Sequence, residues 1–552
     1  LAIEERERFV PARQPADPTV IGETMRNFHF PGRSTVYARR AMCATSHPMA
    51  SRTAIEVLKA GGNAVDAAIA TAAVLAVAEP HMTGVGGDCF ALIARPGLAK
   101  PVALNSAGRA PAGCTAGWLA GAGLERIEPT SVHAVTVPGA VAGWTRLLAD
   151  YGTLPLSRLL EPAIDLAEHG MAVAPRVAAD WALHEDRISH HPGAGRHLFK
   201  AGRVPREGEV MRFPALAETL RIIAREGRDG FYAGPVAEDI VGTLRPLGGL
   251  HTLDDFAAQQ ASYVEPISVA YRGVELWELP PSNQGIVALM VLKMLERTGL
   301  PPDPVSVERY HLQLEAARLA FAMRDVFVAD PDMADVPVAH LLSDAVIDGL
   351  AARVDANRRR DDLGPLPQPP GSDTVYFAIV DAQGMAVSFI NSLYDDFGSG
   401  IVTEKTGITL HNRGKGFVTD PRHRNSIAPR KRPMHTLVPA MVMKGGEPHM
   451  VFGVMGAHFQ PMGHAYMMTN VFHYGMDPQT AIDTPRVFFD GDTVLVEESV
   501  PEPVAAGLRA LGHRVAARRM PWGGAQIVRI DREAGVLAGA SDPRKDGCAL
   551  GY

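Results

Sequence analysis

The chain has 552 residues, of which 46% are apolar and 21% charged, and its formal net charge is −7. That length allows several compact units or one large layered body, and the apolar content excludes disorder as the dominant state. The mildly acidic balance argues against a nucleic-acid binder with a broad basic face.

Residues 1 to about 35 are charged and interrupted by prolines, which predicts an arm or a frayed tail. The opening Leu-Ala-Ile-Glu-Glu-Arg-Glu-Arg lacks the apolar core of a secretory signal. The expected location is therefore the cytoplasm, or the periplasm if a signal segment has been trimmed. The longest apolar run, Ala64 to Ala78, is interrupted by Asp66 and is too short to cross a bilayer, so no membrane partner is expected. Asn63 suits the N-cap of a helix over Ala64–Val77, and Gly61-Gly62 suits the end of the helix before it. Apolar residues on every face predict that this helix is buried all round. Thr83-Gly84-Val85-Gly86-Gly87-Asp88 precedes the strand Cys89–Ala94, which is the wrong order for a dinucleotide cradle. Close backbone packing is the better reading of those glycines. The cysteines at 43, 89, 114 and 548 form no metal-binding spacing and are expected to be free thiols.

From 145 to 350 the pattern is mainly helical, with 3.6-residue periodicity over Pro155–His169, Ala215–Glu226, Gly234–Leu244, Val305–Val328 and, slightly beyond that range, Ala339–Arg360. Leu363 to Ser372 then carries four prolines and two glycines, and predicts a linker or mobile loop. Strands are predicted at Thr374–Val380 and Met385–Leu393, joined by a short turn ending in Gly384. Further strands follow at Ala440–Met443, Met450–Val454, Ala525–Arg529 and Val536–Ala540, with a helix over Met462–Tyr474. The outline is a sheet covered by helices.

A proline-rich segment ending at Gly371-Ser372-Asp373, with Thr374 opening a strand, carries a chemical implication. A Thr hydroxyl is a weak nucleophile without a base. If the bond before Thr374 were cut, the freed α-amine could be that base, because its ordinary pKa near 8 leaves some of it neutral at pH 7.

The segments Gly61-Gly62-Asn63-Ala64-Val65-Asp66-Ala67-Ala68, Glu79-Pro80, Thr83–Asp88, Val137-Pro138-Gly139, Gly539-Ala540-Ser541-Asp542-Pro543-Arg544 and Gly551-Tyr552 resemble the gamma-glutamyltransferase family of N-terminal-nucleophile hydrolases, in the same order. The resemblance implies an α+β fold, a four-layer αββα sandwich built by two chains of one autocleaved precursor. Thr374 would be the nucleophile and Asp373–Thr374 the scissile bond. Residues 1–373 would form a mostly helical large subunit and 374–552 the small one. Ser392 falls where the family has a hydroxyl bonded to the nucleophile, and Gly456-Ala457 falls on its oxyanion turn. The resemblance implies neither a metal nor a cofactor.

Departures from the family pattern bear on the substrate. Ala107 stands where the family's carboxylate-binding Arg aligns, with Arg109 two positions on. His435-Thr436 replaces a pair of serines, and Tyr394 an Asn. His411-Asn412-Arg413-Gly414-Lys415 offers cations where an acid would bind the substrate's α-amine. The expectation is thus a carboxylate-bearing amide oriented by Arg109, Tyr394, Asn412, Arg413, His435 and Thr436. This looks like the family's oxamate amidohydrolase and acylase branch, with oxamate or a glutaryl-type amide as substrate. Glutathione or γ-glutamyl-peptide chemistry is the alternative, and a non-catalytic relative the third possibility. Thr419–Arg432, with five fixed cations against one Asp, reads equally as a lid over the site or a solvated loop. His458 and His464 read as structural.

Overall fold

The computed structural model describes residues 32–362 and 374–552. Two seven-stranded antiparallel sheets lie at its centre. The first runs, edge to edge, through Val36–Ala38, Val536–Ser541, Ala525–Asp531, Glu447–Val454, Ala440–Lys444, Val274–Glu278 and Ile267–Tyr271. The second runs through Ala549–Gly551, Met42–Ala44, Val375–Val380, Ala386–Ser392, Asp88–Ala94, Val102–Ser106 and Ser262–Val264. The sheets pack face to face through Val375–Val380 against Glu447–Val454 and Ala525–Asp531. Helices Pro48–Lys59, Ala64–Ala78 and Ala140–Tyr151 cover the second sheet, and Gly285–Thr298 and Gln460–Phe472 cover the first. The order is helix, sheet, sheet, helix, which is the αββα sandwich expected from the resemblance.

Both faces of each central strand are therefore shielded, and Val375–Val380, Ala386–Ser392 and Asp88–Ala94 are buried at every position. This explains their near-continuous apolar sequence, since a strand covered on both sides has no polar face to alternate. The helix Ala64–Ala78 is likewise buried at every residue. Asn63 caps it as expected, and Asp66 completes a capping box with the Asn63 backbone. The Asp66 carboxylate also accepts from Thr153 N at 2.9 Å and from the Thr153 hydroxyl, so the charge that interrupts the apolar run is fully bonded.

Most elements fall within two residues of their expected bounds. Ala339–Arg360 does not form one helix: it is Val338–Leu341 and Asp344–Ala351, with Ser343 capping the second. Ser262–Val264, Ile267–Tyr271 and Val274–Glu278 are strands inside the stretch read as helical. Arg272-Gly273, both at positive φ, makes the tight turn between the last two. Residues 1–31, the linker 363–372 and Asp373 lie outside the described residues. Among the described residues all four cysteines are free and no helix is long and apolar enough to cross a membrane.

The sheets approach closely at Gly453, where an added Cβ would sit 2.4 Å from the Tyr376 ring. Gly453→Ala is expected to force the layers apart and lower the urea midpoint by the equivalent of about 1–3 kcal/mol, read by equilibrium unfolding.

Candidate active site

The antiparallel pairing of Val375 with Asn391 sets Thr374 opposite Ser392. Thr374 Oγ1 donates to Ser392 Oγ at 3.1 Å, and both residues are buried. Ser392 Oγ also accepts from the Tyr394 backbone N–H at 2.7 Å. The glycine-rich segment at 83–88 packs directly against this corner. A Cβ on Gly87 would lie 2.4 Å from the Ser392 carbonyl oxygen, so only glycine lets the two backbones meet.

Arg413 closes the same corner. His411 N–H donates to the Gly86 carbonyl and Asn412 N–H to the Leu393 carbonyl, which suspends the 3₁₀ turn Arg413–Gly416 beside Ser392. The guanidinium donates to Thr436 Oγ1 at 2.7 Å and reaches Ser392 Oγ at 3.5 Å. It stacks on the Tyr394 ring, 3.8 Å from its centroid. Tyr394 adopts φ +85° to place that ring, an uncommon conformation for a residue with a side chain. Arg413 is fully buried, and among the described residues it has no ion pair. Burial draws its pKa down to about 10, against the opposing pull of Tyr394, Asp88 and Asp395. A desolvated cation without a carboxylate is costly, and the aromatic face offsets only part of that cost.

The other expected contacts are arranged differently. Arg109 donates to the Arg430 carbonyl at 2.9 Å and to Asp332 at 3.1 Å, and lines a separate cavity of about 190 Å³ with Arg430, Val137 and Gln259. Its guanidinium is thus paired with Asp332. Asn412 is engaged in a similar way: its amide donates to Asp395 at 2.8 Å and to the Pro129 carbonyl. The His435 ring faces Asp88 rather than Arg413. Its Nδ1 accepts from Leu437 N–H, so Nε2 carries the proton and donates to Asp88 Oδ2 at 3.1 Å. Asp88 Oδ1 accepts from Gly108 and Gly139 N–H, both at 2.9 Å. Burial alone would raise the Asp88 carboxyl, but His411, His435 and Arg413 hold it below its ordinary range. Lys415 pairs with Asp395, and burial lowers its pKa to about 8. Of Arg109, Arg413 and Lys415, only Arg413 therefore lacks a direct counter-charge.

Within Thr419–Arg432, Arg432 pairs with Asp330 and Asp332, Lys431 donates to the Arg424 carbonyl, and His423 to the Asp325 carbonyl. These contacts tie the segment to 325–335. The Gly456-Ala457 turn sits at the end of Glu447–Val454, with φ +120° and +47°. The second value costs an alanine about 1 kcal/mol. Sequence reasoning missed Gln284 and Arg324, which bond the Ala457 carbonyl and His458 Nδ1 from 173 and 134 residues away along the chain. His464, read as structural, pairs with buried Glu278 at 2.6 Å. His81, Asp180 and Asp396 bring potential metal-ligand atoms within 4.8 Å of one another. Arg176 and Lys545 already neutralise Asp180, and His184 pairs with Asp396.

The sequence profile of the Gamma-glutamyltranspeptidase family matches residues 50–552. The chain belongs to that family. It is 37% identical to the "Glutathione hydrolase-like YwrD proenzyme" of Bacillus subtilis, over 94% of this chain and 99% of the relative. It is also 37% identical to the "Oxamate amidohydrolase proenzyme" of Klebsiella pneumoniae, over 94% and 100%. Among solved structures, the cephalosporin acylase from Bacillus halodurans superposes with a TM-score of 0.88 at 39% identity, covering 96% of this chain and 99% of the acylase. This gamma-glutamyltranspeptidase family member is thus an enzyme of the hydrolase and transpeptidase class, with the sandwich of an N-terminal-nucleophile hydrolase.

Several buried histidines are held neutral. Burial lowers His47 and His251 to about 4, and burial together with Arg413 lowers His435 to about 3. An unfolded His takes up its proton near pH 6.5, so the unfolded state binds more protons as pH falls below that value. Stability is therefore expected to fall from pH 6.5 to pH 5, with unfolding taking up about three more protons at the lower pH from these groups. Urea titrations across that range read this directly, and His435→Gln removes one proton from the uptake.

Proposed function

We propose that this chain cuts itself between Asp373 and Thr374 and then hydrolyses the amide of a small carboxylate-bearing acid, with Thr374 as nucleophile. The observation that carries this reading is the buried Arg413 guanidinium, without a carboxylate partner, two hydrogen bonds from the Thr374 hydroxyl. A substrate carboxylate would supply the missing charge, and the Tyr394 ring and Thr436 hydroxyl would hold the guanidinium flat to receive it.

After the cut, the Thr374 α-amine takes the hydroxyl proton as Oγ1 attacks the amide carbon. The carbonyl oxygen becomes an oxyanion held by the Gly456 and Ala457 N–H groups. The tetrahedral species collapses, the C–N bond breaks, and the departing amine receives the proton held by the α-amine. Water then attacks the resulting ester by the same route, releasing the acid and restoring the hydroxyl. Ser392 Oγ, 3.1 Å from Oγ1, can turn its own proton toward Oγ1 once the Thr374 proton is directed to the amine.

Arg413 and Thr374 Oγ1 can be no further apart than their two links through Ser392 laid end to end. That reach suits a short monoamide such as oxamate, whose carboxylate is bonded directly to the scissile carbonyl. A γ-glutamyl substrate would bring an ammonium group beside Arg413, where like charge opposes it. The relative named an oxamate amidohydrolase supports the first of these.

On a denaturing gel, purified protein is expected to give two bands of roughly two-thirds and one-third of the full mass. Thr374→Ala is expected to give one inactive band, and an active, uncut variant would refute the assignment. Arg413→Gln should lower kcat/KM for oxamate on the order of 10²-fold, while a neutral amide of similar size changes by less than about threefold. Steady-state assays on a panel that includes glutaryl amides and glutathione make the comparison.

A further inference from the structure

Behind the Gly456-Ala457 turn, one amide side chain joins the two halves of the site. Gln284 Nε2 donates to the Thr436 carbonyl at 2.9 Å and to the Ala457 carbonyl at 2.8 Å, using both of its hydrogens. Its Oε1 accepts from an Arg324 guanidinium nitrogen at 2.7 Å. The same nitrogen donates to His458 Nδ1 at 2.7 Å, and the other side of the guanidinium is held by Asp325 at 2.6 Å. Gln284 and Arg324 are buried, and every polar atom of the Gln284 side chain is bonded. Its backbone is fixed as well, because Gln284 N–H donates to the His435 carbonyl and His435 N–H to the Ser282 carbonyl.

The Ala457 peptide is the weak point of this arrangement. A left-handed alanine relaxes toward negative φ unless its neighbours prevent it, and relaxation would swing the Gly456–Ala457 amide away. Gln284 pins the carbonyl on the far side of Ala457, and Arg324 pins the next side chain, His458. These side-chain bonds add to the turn's own backbone bonds, Phe459 N–H to the Gly456 carbonyl and Gln460 N–H to the Ala457 carbonyl, and brace Ala457 from behind. The clamp also reaches Thr436, whose hydroxyl holds Arg413.

We propose that Gln284, oriented by Arg324, is a positioning residue that holds the Ala457 turn in the shape that aims its N–H at the developing oxyanion, and locks it in register with the His435-Thr436 segment that anchors Arg413. The inference rests on the assignment of Thr374 as nucleophile and of Gly456-Ala457 as oxyanion turn. Both donors of the clamp come from residues before 374 and all its acceptors on the turn come from residues after it. The reacting geometry therefore depends on the two parts of the precursor staying together after the cut.

An oxyanion donor acts on the transition state more than on bound substrate, so misalignment appears in kcat rather than KM. The test compares processed wild type with Gln284→Leu and Gln284→Glu, assayed on oxamate or on whichever panel amide the wild type turns over fastest. Glu keeps the size and the Arg324 contact but has no hydrogens to give the two carbonyls. Both variants are expected to lose on the order of 10²-fold in kcat, with KM moving less than about threefold. Adding Ala457→Gly to Gln284→Leu should recover at least about tenfold, because glycine holds the left-handed turn without a clamp. A loss confined to KM, a kcat within about threefold of wild type, or a loss that the added glycine leaves in place would overturn the proposal. N-terminal sequencing of the small fragment separates the two levels: Thr374 first in wild type leaves the underlying assignment standing whatever Gln284 does, and any other first residue brings both down.

Discussion

The site depends on the hairpin register that pairs Val375 with Asn391, because that register alone sets Thr374 against Ser392 at the end of a fully buried strand. A slip of one residue would turn every side chain of the strand to the opposite face and break the pair. Burial on both faces makes such a slip expensive, so the αββα layering is what specifies the geometry at Thr374. The glycines at 86 and 87 belong to the same constraint. They let a neighbouring loop press against the Thr409 and Ser392 carbonyls, leaving no room for another backbone path.

Around that corner the charges divide into matched and unmatched. Arg109, Arg432 and Lys415 each face a carboxylate, and the His435 ring is directed at Asp88. Arg413 faces an aromatic ring and hydroxyls. Folding retains this exposed cost in a well-packed interior, which is the usual signature of a group positioned for a ligand rather than for stability. The Gly456-Ala457 turn, proposed to hold the oxyanion, follows the same rule, with a left-handed alanine retained where an ordinary turn would be cheaper.

Much of the architecture was legible along the chain. The Asn63 cap, the buried helix after it, the hairpin at 375–392 and the strands of the C-terminal third all carry local signals: a capping side chain, an unbroken apolar run, a turn glycine. The strands at 262–278 were not legible, because each is short and their partners lie as far away as Ala440–Lys444. The break at Ser343 was missed because apolar spacing on either side of it continues the helical period. Thr374, Ser392 and Gly456-Ala457 could be singled out because each sits in a local motif. Gln284 and Arg324 could not, since nothing in Pro280-Pro281-Ser282-Asn283-Gln284 or in the long helix Val307–Phe327 announces a contact with a turn so distant in sequence.

The residues themselves determined the family, the order of elements and the chemistry available at Thr374, because motif spacing and strand periodicity are properties of the chain alone. Which cation is left without a carboxylate partner was decided only in three dimensions. Arg109 and Arg413 look equivalent in the sequence, and the difference between them is whether a carboxylate from a remote segment, Asp330–Asp332, arrives beside the guanidinium. Electrostatic balance depends on distance and burial, and neither is written in the order of residues.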